Sequence, residues 1–422
     1  MSNGYFAFRR QAMQLTGLVA FCAMTVDMII ACRPAFIENI LNGLDKAYRL
    51  HKWLGITVLV TAIFHWLLAK GVKWAVGWGW LEKPVRRTVA ANMPEKTGVE
   101  LFFSLSHKNA EVIGEWAFYG VVVLCLVALI KRISYRFFRH VHIVFAGLYL
   151  LLVFHAIVLT NFNYWLQPFG LLTFVLAISG TIAAIVILLK KAGFDRPLNA
   201  VVTNETVDEK TATTCLTLKM SNNWKGQQSG QFAFVTLDKE EGAHPFTIAS
   251  AWNDKQRLVK FFIKGLGDYT KGLIKRNLIG KKVRLDGPYG RFCFIDGNAR
   301  QQIWIGAGIG ITPFLAKLEQ FKNNRNNNHS KIHFIYVTQF VSKENEKKLY
   351  ELARPAEVDL TIWITPQQGK LNGERLRSMV SDWKQASVWF CGPQPFGQAL
   401  HKDLVNHGLR DKCFHRELFD LR

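Results

Sequence analysis

The chain has 422 residues, which is enough for two or three domains. Half of the residues are hydrophobic, yet the mean hydropathy is only +0.08, which argues against a wholly membrane-embedded protein and indicates a membrane part joined to a soluble part. The net charge of +22 comes without a nucleic-acid-binding motif, so contact with lipid headgroups and phosphate-bearing cofactors explains it better than nucleic acid does. Seven cysteines without paired spacing argue against a disulfide framework and a zinc site.

Every long apolar run lies in the first 189 residues. Five runs have about the length that spans a bilayer, and the first contains Asp27 as a polar interruption. The predicted spans are Ala12–Ala31, Lys52–Ala69, Glu115–Ile130, Val141–Leu159 and Leu166–Leu189. Basic residues at 131–139 and 190–196 predict a cytoplasmic soluble part and an external N-terminus. The polar, tryptophan-rich loop at 71–111 is then external, although it carries Lys83, Arg86 and Arg87.

Two of these spans carry a histidine near each end. His51 and His65 are fourteen residues apart (65 − 51), and His142 and His155 are thirteen apart (155 − 142). Fourteen helical residues cover about 21 Å of a hydrocarbon core about 30 Å thick. Neighbouring helices would therefore form an inner pair, His51 with His142, and an outer pair, His65 with His155. Neutral imidazole ligates haem iron, so these pairs predict two stacked b-type haems. The simpler alternative is that the histidines are hydrogen-bond donors in helix packing.

The thirteen-residue spacing fits a regular helix less well than the fourteen-residue spacing. Fourteen residues return to within about 40° of the same helix face, whereas thirteen end about 140° away. Either the helix is irregular near His142, or the inner residue is His140, fifteen positions before His155 (155 − 140).

The composition becomes that of a soluble protein from Asp195 onward. Short β-rich runs separated by turn residues first predict a small antiparallel barrel: Ala200–Val207, Thr213–Leu218, Phe232–Leu237, Leu258–Ile263 and Lys282–Leu285. From about Arg300 strands and helices alternate, as in a doubly wound α/β nucleotide-binding domain: strands Ile303–Ile305, Ile332–Val337, Asp359–Ile364 and Ser387–Phe390, with helices Pro313–Lys322, Lys343–Ala353 and Phe396–Asn406. The predicted domains are 1–193, 194–298 and 299–422.

Two glycine-containing motifs lie at the predicted carboxyl edge of the α/β sheet. The first runs from Gly306 to Pro313 between a strand and a helix, where glycines let backbone amides approach a pyrophosphate. Its spacing differs from the G-x-G-x-x-G fingerprint, and a plain glycine-rich turn is the alternative. Cys391-Gly392-Pro393 closes a later strand at the same edge, where ligands bind in such folds. The candidate binding residues are Gly306, Gly308, Gly310, Thr312, Pro313, Gly392 and Pro393.

Two stretches of the predicted barrel suit a flavin. His244-Pro245-Phe246-Thr247 combines a proline-fixed extended turn, an aromatic stacking face and a hydroxyl. The segment from Lys264 to Thr270 enters a short helix and would supply a second anion site through these two residues. An ordinary β-turn is the alternative for either stretch.

Taken in order, the histidine spacings and the three soluble motifs resemble the NADPH oxidase and ferric reductase superfamily, including its bacterial members. The resemblance implies an all-α transmembrane helix bundle with two b haems, an antiparallel β-barrel FAD domain and an α/β NAD(P)-binding domain, the last two being ferredoxin-reductase-like. It favours His142 over His140, because the family spacing is thirteen. It also places His244, Phe246 and Thr247 at the flavin, and Gly308, Thr312 and Pro313 at the nicotinamide nucleotide. Phe419, as the aromatic that covers the flavin ring, and Cys391 are the catalytic candidates.

The resemblance implies hydride transfer from cytoplasmic NAD(P)H to FAD, then single-electron transfer through both haems to an acceptor outside a cell membrane, in bacteria the inner membrane. Oxygen is the first expectation for the acceptor; a ferric chelate or a partner protein is the alternative, although no protein partner is required. Arg9 or Arg10 is expected near the outer haem. Two departures from the family are the five spans rather than six and a missing arginine after Tyr336, which leaves NADPH and NADH open; Lys343 is a candidate for a 2′-phosphate. A non-redox membrane protein with a nucleotide-sensing domain is the remote alternative.

Overall fold

The computed structural model describes residues 2–41, 43–82, 98–130, 133, 135–189, 198–294, 301–323 and 331–417. The chain divides into two compact units, a helical unit formed by most of residues 1–194 and a sheet-containing unit that starts at Asp195 and also includes Leu41–Lys46. The predicted domain boundaries at residues 193 and 298 fall outside the described residues and stay predictions.

The described residues before Asp195 form seven α-helices: α1 (Ser2–Ala31), α2 (Ala35–Leu41), α3 (Leu44–Gly77), α4 (Gly98–Leu129), α5 (Tyr135–His142), α6 (Val144–Leu159) and α7 (Pro168–Leu188). In the described part of the chain, five segments are long and apolar enough to cross a membrane: Tyr5–Ala31, Leu44–Gly77, Gly98–Leu129, Phe137–Leu159 and Pro168–Leu188. The five predicted spans are therefore confirmed as apolar, membrane-length helices.

The predicted loop at 71–111 is too long, because α3 and α4 both extend into it. Aromatic packing accounts for part of the extension of α3. The rings of Trp66 and Trp74 lie two helical turns apart with their centroids 5.3 Å from each other, and Trp78 lies 6.5 Å beyond Trp74. Side chains at such spacing share a helix face, so these contacts stabilise the polar end of α3. The basic residues Lys83, Arg86 and Arg87 lie outside the described residues.

The fourth span is interrupted directly after His142. Helix α5 ends at His142, Ile143 forms a turn, and α6 begins at Val144. The amide of Ala146 donates to the carbonyl of Ile143 at 3.1 Å, which is the tighter i to i+3 pattern of a 3₁₀ turn. The irregularity that the thirteen-residue spacing required is therefore present at the start of this span.

Tyr149 lies at the centre of the helical unit and is fully buried. Its ring stacks on Phe21 at 5.6 Å, and its hydroxyl lies 2.7 Å from Thr25 Oγ1. A Cβ on Gly180 would lie 1.8 Å from that hydroxyl, so α7 needs a glycine here to approach α6. The buried tyrosine, the hydroxyl and the glycine together bring α1, α6 and α7 into close contact.

The first sheet is antiparallel and has six strands: β1 (Leu198–Asp208), β2 (Thr213–Met220), β3 (Phe232–Asp238), β4 (Gly242–Thr247), β5 (Leu258–Lys264) and β6 (Lys282–Tyr289), in the order β4-β3-β6-β1-β2-β5. A bridge between Ile248 and Phe261 links its two ends, so the sheet curls as a small barrel. All five predicted strands are confirmed. Sequence reasoning missed β4, because the proline in His244-Pro-Phe-Thr predicts a turn; β4 pairs with β3 as an edge strand, where a proline is tolerated.

The second sheet is parallel and has the order β11-β10-β7-β8-β9: β7 (Gln301–Ala307), β8 (Lys331–Thr338), β9 (Val358–Ile364), β10 (Ser387–Cys391) and β11 (Phe414–Arg416). Buried hydrophobic clusters cover both faces, as a parallel sheet requires. The helices of this unit are α8 (Asp268–Leu273), α9 (Thr312–Asn323), α10 (Lys343–Ala353), α11 (Thr365–Gln368), α12 (Gly373–Met379) and α13 (Gln394–Asn406). The predicted barrel and α/β fold are confirmed, and β11 is an additional edge strand.

Candidate cofactor sites

The structure brings the four predicted histidines together in the predicted pairs. The ring centroids of His51 and His142 are 5.8 Å apart, and those of His65 and His155 are 6.3 Å apart. His140 is exposed. Both pairs therefore join α3 to the fourth span, while the role of these histidines as metal ligands stays a prediction.

In the outer pair, Nδ1 of each ring faces a backbone carbonyl. Nδ1 of His65 lies 3.0 Å from the carbonyl oxygen of Met13, and Nδ1 of His155 lies 2.8 Å from that of Ala110. A carbonyl only accepts, so Nδ1 carries the proton and donates, which leaves the lone pair on Nε2. This is the tautomer and the orientation in which histidine typically binds a metal.

Next to each of these carbonyls, a glycine leaves the space that the histidine ring occupies. Gly17 and Gly114 lie four residues after Met13 and Ala110 (17 − 13 and 114 − 110) on the same helices. A Cβ on Gly114 would lie 1.9 Å from Nδ1 of His155, and one on Gly17 would lie 3.2 Å from Cε1 of His65. Sequence reasoning missed both glycines, because glycine in a membrane helix is too common to indicate a site.

The inner pair has a different neighbour. Oδ1 of Asp27 lies 3.0 Å from Nδ1 of His51, and Asp27 is only 6% exposed. The ring of His142 contacts Phe138 at 4.8 Å and Phe145 at 5.0 Å. The sequence marked Asp27 only as a polar interruption of the first span; its position beside His51 comes from helix packing.

The geometry of both pairs fits a b-type haem. Two metal–imidazole bonds of about 2 Å, with each ring centre about 1 Å behind its nitrogen, place the centroids roughly 6 Å apart. Among the described residues, no group of three or more histidine, cysteine, aspartate or glutamate side chains builds a site for a bare metal ion. Two facing imidazoles suit a metal whose other ligands come from a macrocycle, which is what haem supplies.

Arg9 contacts the backbone of α3 just beyond His65. Its Nε donates to the carbonyl of Leu68 at 2.6 Å, and one terminal nitrogen donates to that of Ala69 at 3.2 Å. Arg10 is exposed. Arg9 therefore ties α1 to α3 about one helical turn from the outer pair, and of the two predicted arginines it is the one held near that pair.

The flavin motif lies on β4 at the edge of the barrel. The rings of His244 and Tyr269 stack with centroids 4.8 Å apart, and Phe246 lies 6.3 Å from His244. Pro245 pairs with Phe234 across the strands, and Thr247 is buried. Burial, followed by the nearby Asp238, raises the pKa of Tyr269 to about 12. Tyr269 lies within the predicted Lys264–Thr270 segment but was not among the candidate residues, and its stacking on His244 makes it part of this site.

The second predicted anion site has a local structural role. The Thr270 hydroxyl accepts from the amides of Leu266 and Gly267 at 3.0 Å each and donates to the carbonyl of Gly267 at 3.1 Å. These bonds cap α8, which has only six residues. Lys264 ends β5 opposite Thr213. Binding of a flavin phosphate by Lys264 and Thr270 stays a prediction.

The two nucleotide motifs meet at the carboxyl edge of the parallel sheet. Gly306 pairs with Cys391 across β7 and β10. A Cβ on Gly310 would lie 2.2 Å from the Cys391 carbonyl oxygen, and one on Gly392 would lie 2.7 Å from Ala307 Cβ. Gly308 has a left-handed φ of 55° and would point a Cβ into open space. Gly310 and Gly392, one in each motif, are thus needed for close packing, and Gly308 leaves backbone accessible.

Helix α9 begins at this edge with Thr312 and Pro313, both buried. Proline suits the start of a helix because it has no amide proton to satisfy. The N-terminus of this twelve-residue helix lies beside Gly308–Ile311, which is the arrangement that binds a pyrophosphate. Pro393 directly precedes α13 at the same edge.

Cys391 is almost fully buried at this edge. Burial raises the pKa of its thiol well above the ordinary value, so the thiol stays protonated and is not a nucleophile at neutral pH. A role for Cys391 in contact with the nicotinamide stays a prediction. Phe419, the predicted flavin cover, lies outside the described residues.

The chain matches two protein families. Residues 16–153 match the ferric reductase like transmembrane component, and residues 198–293 match an FAD-binding domain. The chain is 27% identical over 285 residues to a superoxide-generating NADPH oxidase heavy chain of Dictyostelium discoideum, covering 60% of this chain and 36% of the relative. It is 30% identical over 237 residues to NADPH oxidase 1 of Mus musculus, covering 44% and 40%.

Among solved structures, the ferredoxin-NADP+ reductase from Plasmodium falciparum is 19% identical, with a TM-score of 0.43, covering 54% of this chain and 97% of that one. The chain spans well under half the length of the two curated relatives above. A ferric-reductase-like transmembrane component followed by an FAD-binding domain, together with the NADPH oxidase relatives, makes this chain similar to the NADPH oxidase and ferric reductase superfamily.

Proposed function

We propose that this protein is an NAD(P)H oxidoreductase that transfers electrons across a membrane, from NAD(P)H through FAD and two b haems to an acceptor on the opposite side. One observation carries the proposal: four histidines meet as two pairs within apolar, membrane-length helices, on a chain that also has an FAD-binding domain. The relatives named above include NADPH oxidases, one of which is described as superoxide-generating.

FAD supplies the conversion from a two-electron donor to one-electron transfer, and haem supplies one-electron carriers. On the flavin side, the stacked rings of His244 and Tyr269, together with Phe246, form an aromatic surface at the barrel edge. On the nucleotide side, the N-terminus of α9 and the loop around Gly308 would bind the pyrophosphate of NAD(P)H. Phe419 is proposed to cover the flavin ring.

Oxygen is the acceptor we propose, with superoxide as the product. Two histidines holding each haem iron would leave no open coordination position, so the acceptor would take one electron without binding the metal. Arg9, fixed by two α3 carbonyls near the outer pair, would favour an anionic product there. The soluble unit is then cytoplasmic, as the basic loops predict, and in a bacterium the membrane is the inner one.

The decisive experiment uses the full chain in detergent, supplied with FAD and NADPH in the absence of oxygen. The visible spectrum should change to that of a reduced b-type haem. His65→Ala and His155→Ala should each lower the haem content per chain, whereas the exposed His140→Ala should leave it unchanged. A wild-type protein without haem bands would contradict the proposal.

The acceptor is identified by admitting air with a superoxide-specific dye. Dye oxidation that superoxide dismutase suppresses supports oxygen. Reoxidation by a ferric chelate that is faster than reoxidation by air would instead identify a ferric reductase, and slow reoxidation by both would indicate a partner protein. Comparing NADPH with NADH in the Lys343→Ala variant tests whether this residue binds the 2′-phosphate.

A further inference from the structure

The two histidine pairs have chemically different surroundings. Both rings of the outer pair have Nδ1 facing a neutral backbone carbonyl, at 3.0 and 2.8 Å. In the inner pair, Nδ1 of His51 instead faces a carboxylate oxygen of Asp27 at 3.0 Å. Nδ1 of His65 also lies 3.2 Å from the Thr16 hydroxyl, which is neutral as well. Among the described residues, Asp27 therefore supplies a direct carboxylate contact to an imidazole nitrogen that neither ring of the outer pair has.

Asp27 is built into the interior of the helical unit. It is 6% exposed and lies on α1 beside buried Met24 and Met28. A carboxylate in an apolar helix is costly and needs a partner. The contact with His51 supplies this partner. Gly55 lies four residues after His51 on α3, and a Cβ added to it would lie 3.9 Å from Asp27 Oδ2, which is an ordinary van der Waals distance.

Oδ1 of Asp27 and Nδ1 of His51 are both buried, lie 3.0 Å apart and have no other hydrogen-bond partner among the described residues. We infer that Asp27 is a positioning residue for the inner site: its carboxylate keeps the proton on Nδ1 of His51, fixes Nε2 as the free nitrogen, and makes this imidazole the most electron-donating of the four. This inference rests on the proposed function, because it requires haem between the histidines. A carboxylate behind a metal-bound histidine raises the basicity of the ligand. A more basic ligand and a nearby negative charge both favour ferric over ferrous iron.

The consequence is a direction for electron flow. A haem held by His51 and His142 would have the lower midpoint potential, and a haem held by His65 and His155, whose Nδ1 atoms lie against backbone carbonyls rather than a carboxylate, would have the higher one. Electrons would then move downhill from a haem held by the inner pair to a haem held by the outer pair. This difference in midpoint potential would come from one side chain of α1, that of Asp27.

The test is a redox titration of the haem absorbance in the full chain with its haems bound. The wild type should show two one-electron waves, and His142→Ala should remove the lower one, which assigns it to the inner site. Asp27→Asn keeps the size of the side chain and removes its charge. It should raise the lower potential by about 59 mV, equivalent to a tenfold change in the ratio of ferric to ferrous stability, and leave the upper wave in place. Gly55→Ala, which adds a methyl group beside an intact carboxylate, should move neither wave.

The electron paramagnetic resonance spectrum of the ferric protein provides a second measurement, since the signal of one low-spin haem should shift in Asp27→Asn. If Asp27→Asn loses the lower wave together with one haem, restoration of both by Asp27→Glu supports the inference. Unchanged potentials and spectra in Asp27→Asn would overturn it, as would loss of both haems in Asp27→Asn and Asp27→Glu alike. A wild type that binds no haem would contradict the proposed function itself, whereas haem that ignores Asp27 contradicts only this inference.

Discussion

Replacement of Gly114 by alanine should remove one haem while leaving the helices intact. The added Cβ would lie 1.9 Å from Nδ1 of His155, whereas ordinary contact begins at 3.4 Å, so the ring must retreat by about 1.5 Å (3.4 − 1.9). Such a shift breaks the 2.8 Å hydrogen bond to the Ala110 carbonyl. It also exceeds the tolerance of about 0.2 Å on a metal–ligand bond. Loss of the supporting bond alone typically costs about 10- to 100-fold in metal affinity.

Two other glycines provide matched controls for this substitution. Alanine is a better helix former than glycine by about 1 kcal/mol, so a glycine that meets no clash should tolerate the change. Gly71 on α3 has nothing within 4 Å of the added Cβ and should retain full haem content. Gly17, whose added Cβ would lie 3.2 Å from Cε1 of His65, should show an intermediate loss.

The assay is the pyridine haemochrome content per chain, measured together with the helical circular dichroism of each detergent-solubilised variant. The expected order of haem loss is Gly114→Ala, then Gly17→Ala, then Gly71→Ala with none. A Gly114→Ala protein that retains two haems with an unchanged spectrum would refute the reasoning that the glycine makes room for a ligand.

Three further predictions concern the soluble unit. Gly310→Ala should raise the KM for NAD(P)H about tenfold or more, with FAD content unchanged, because its Cβ would lie 2.2 Å from the Cys391 carbonyl oxygen; equal KM values would contradict this. Cys391 should resist iodoacetamide at pH 8 in the folded protein and react in denaturant, as followed by mass spectrometry, because burial raises its pKa and blocks access. The pKa of Tyr269 is about 12 in the fold against 10.0 ordinarily, so the folded state keeps this proton longer and stability falls as pH rises between those values. Tyr269→Phe should therefore lose less stability than the wild type over that range, and an identical alkaline profile would contradict it.

The architecture follows from the sequence because each of its parts has a distinct hydrophobic period. Membrane-length apolar runs predict the five spans, short alternating runs predict the barrel, and strand–helix repeats predict the parallel sheet. All three predictions are confirmed. The errors lie where local preference and packing disagree. The proline in β4 predicts a turn, although the edge position of this strand tolerates that residue. The polar composition at the end of α3 predicts a loop, although tryptophan contacts keep it helical.

In the candidate sites, polar side chains within apolar helices can be predicted from the sequence. Backbone carbonyls cannot, because every residue has one. A histidine or an aspartate in an apolar helix is a local anomaly, so the four histidines and Asp27 are visible in the sequence. The pairing of Asp27 with His51 cannot be read from the sequence, because the two residues belong to different helices and are 24 positions apart (51 − 27).

The carbonyls of Met13 and Ala110 are less visible still, since every residue has a carbonyl and only the approach of another helix selects these two. The sequence feature that accompanies each carbonyl is a glycine four residues later. That glycine indicates a site only when a histidine is known to pack against it. The chemistry of the membrane sites is therefore predictable for the groups that would bind metal. The groups that orient those ligands, and so set one site apart from the other, emerge only from the packed helices.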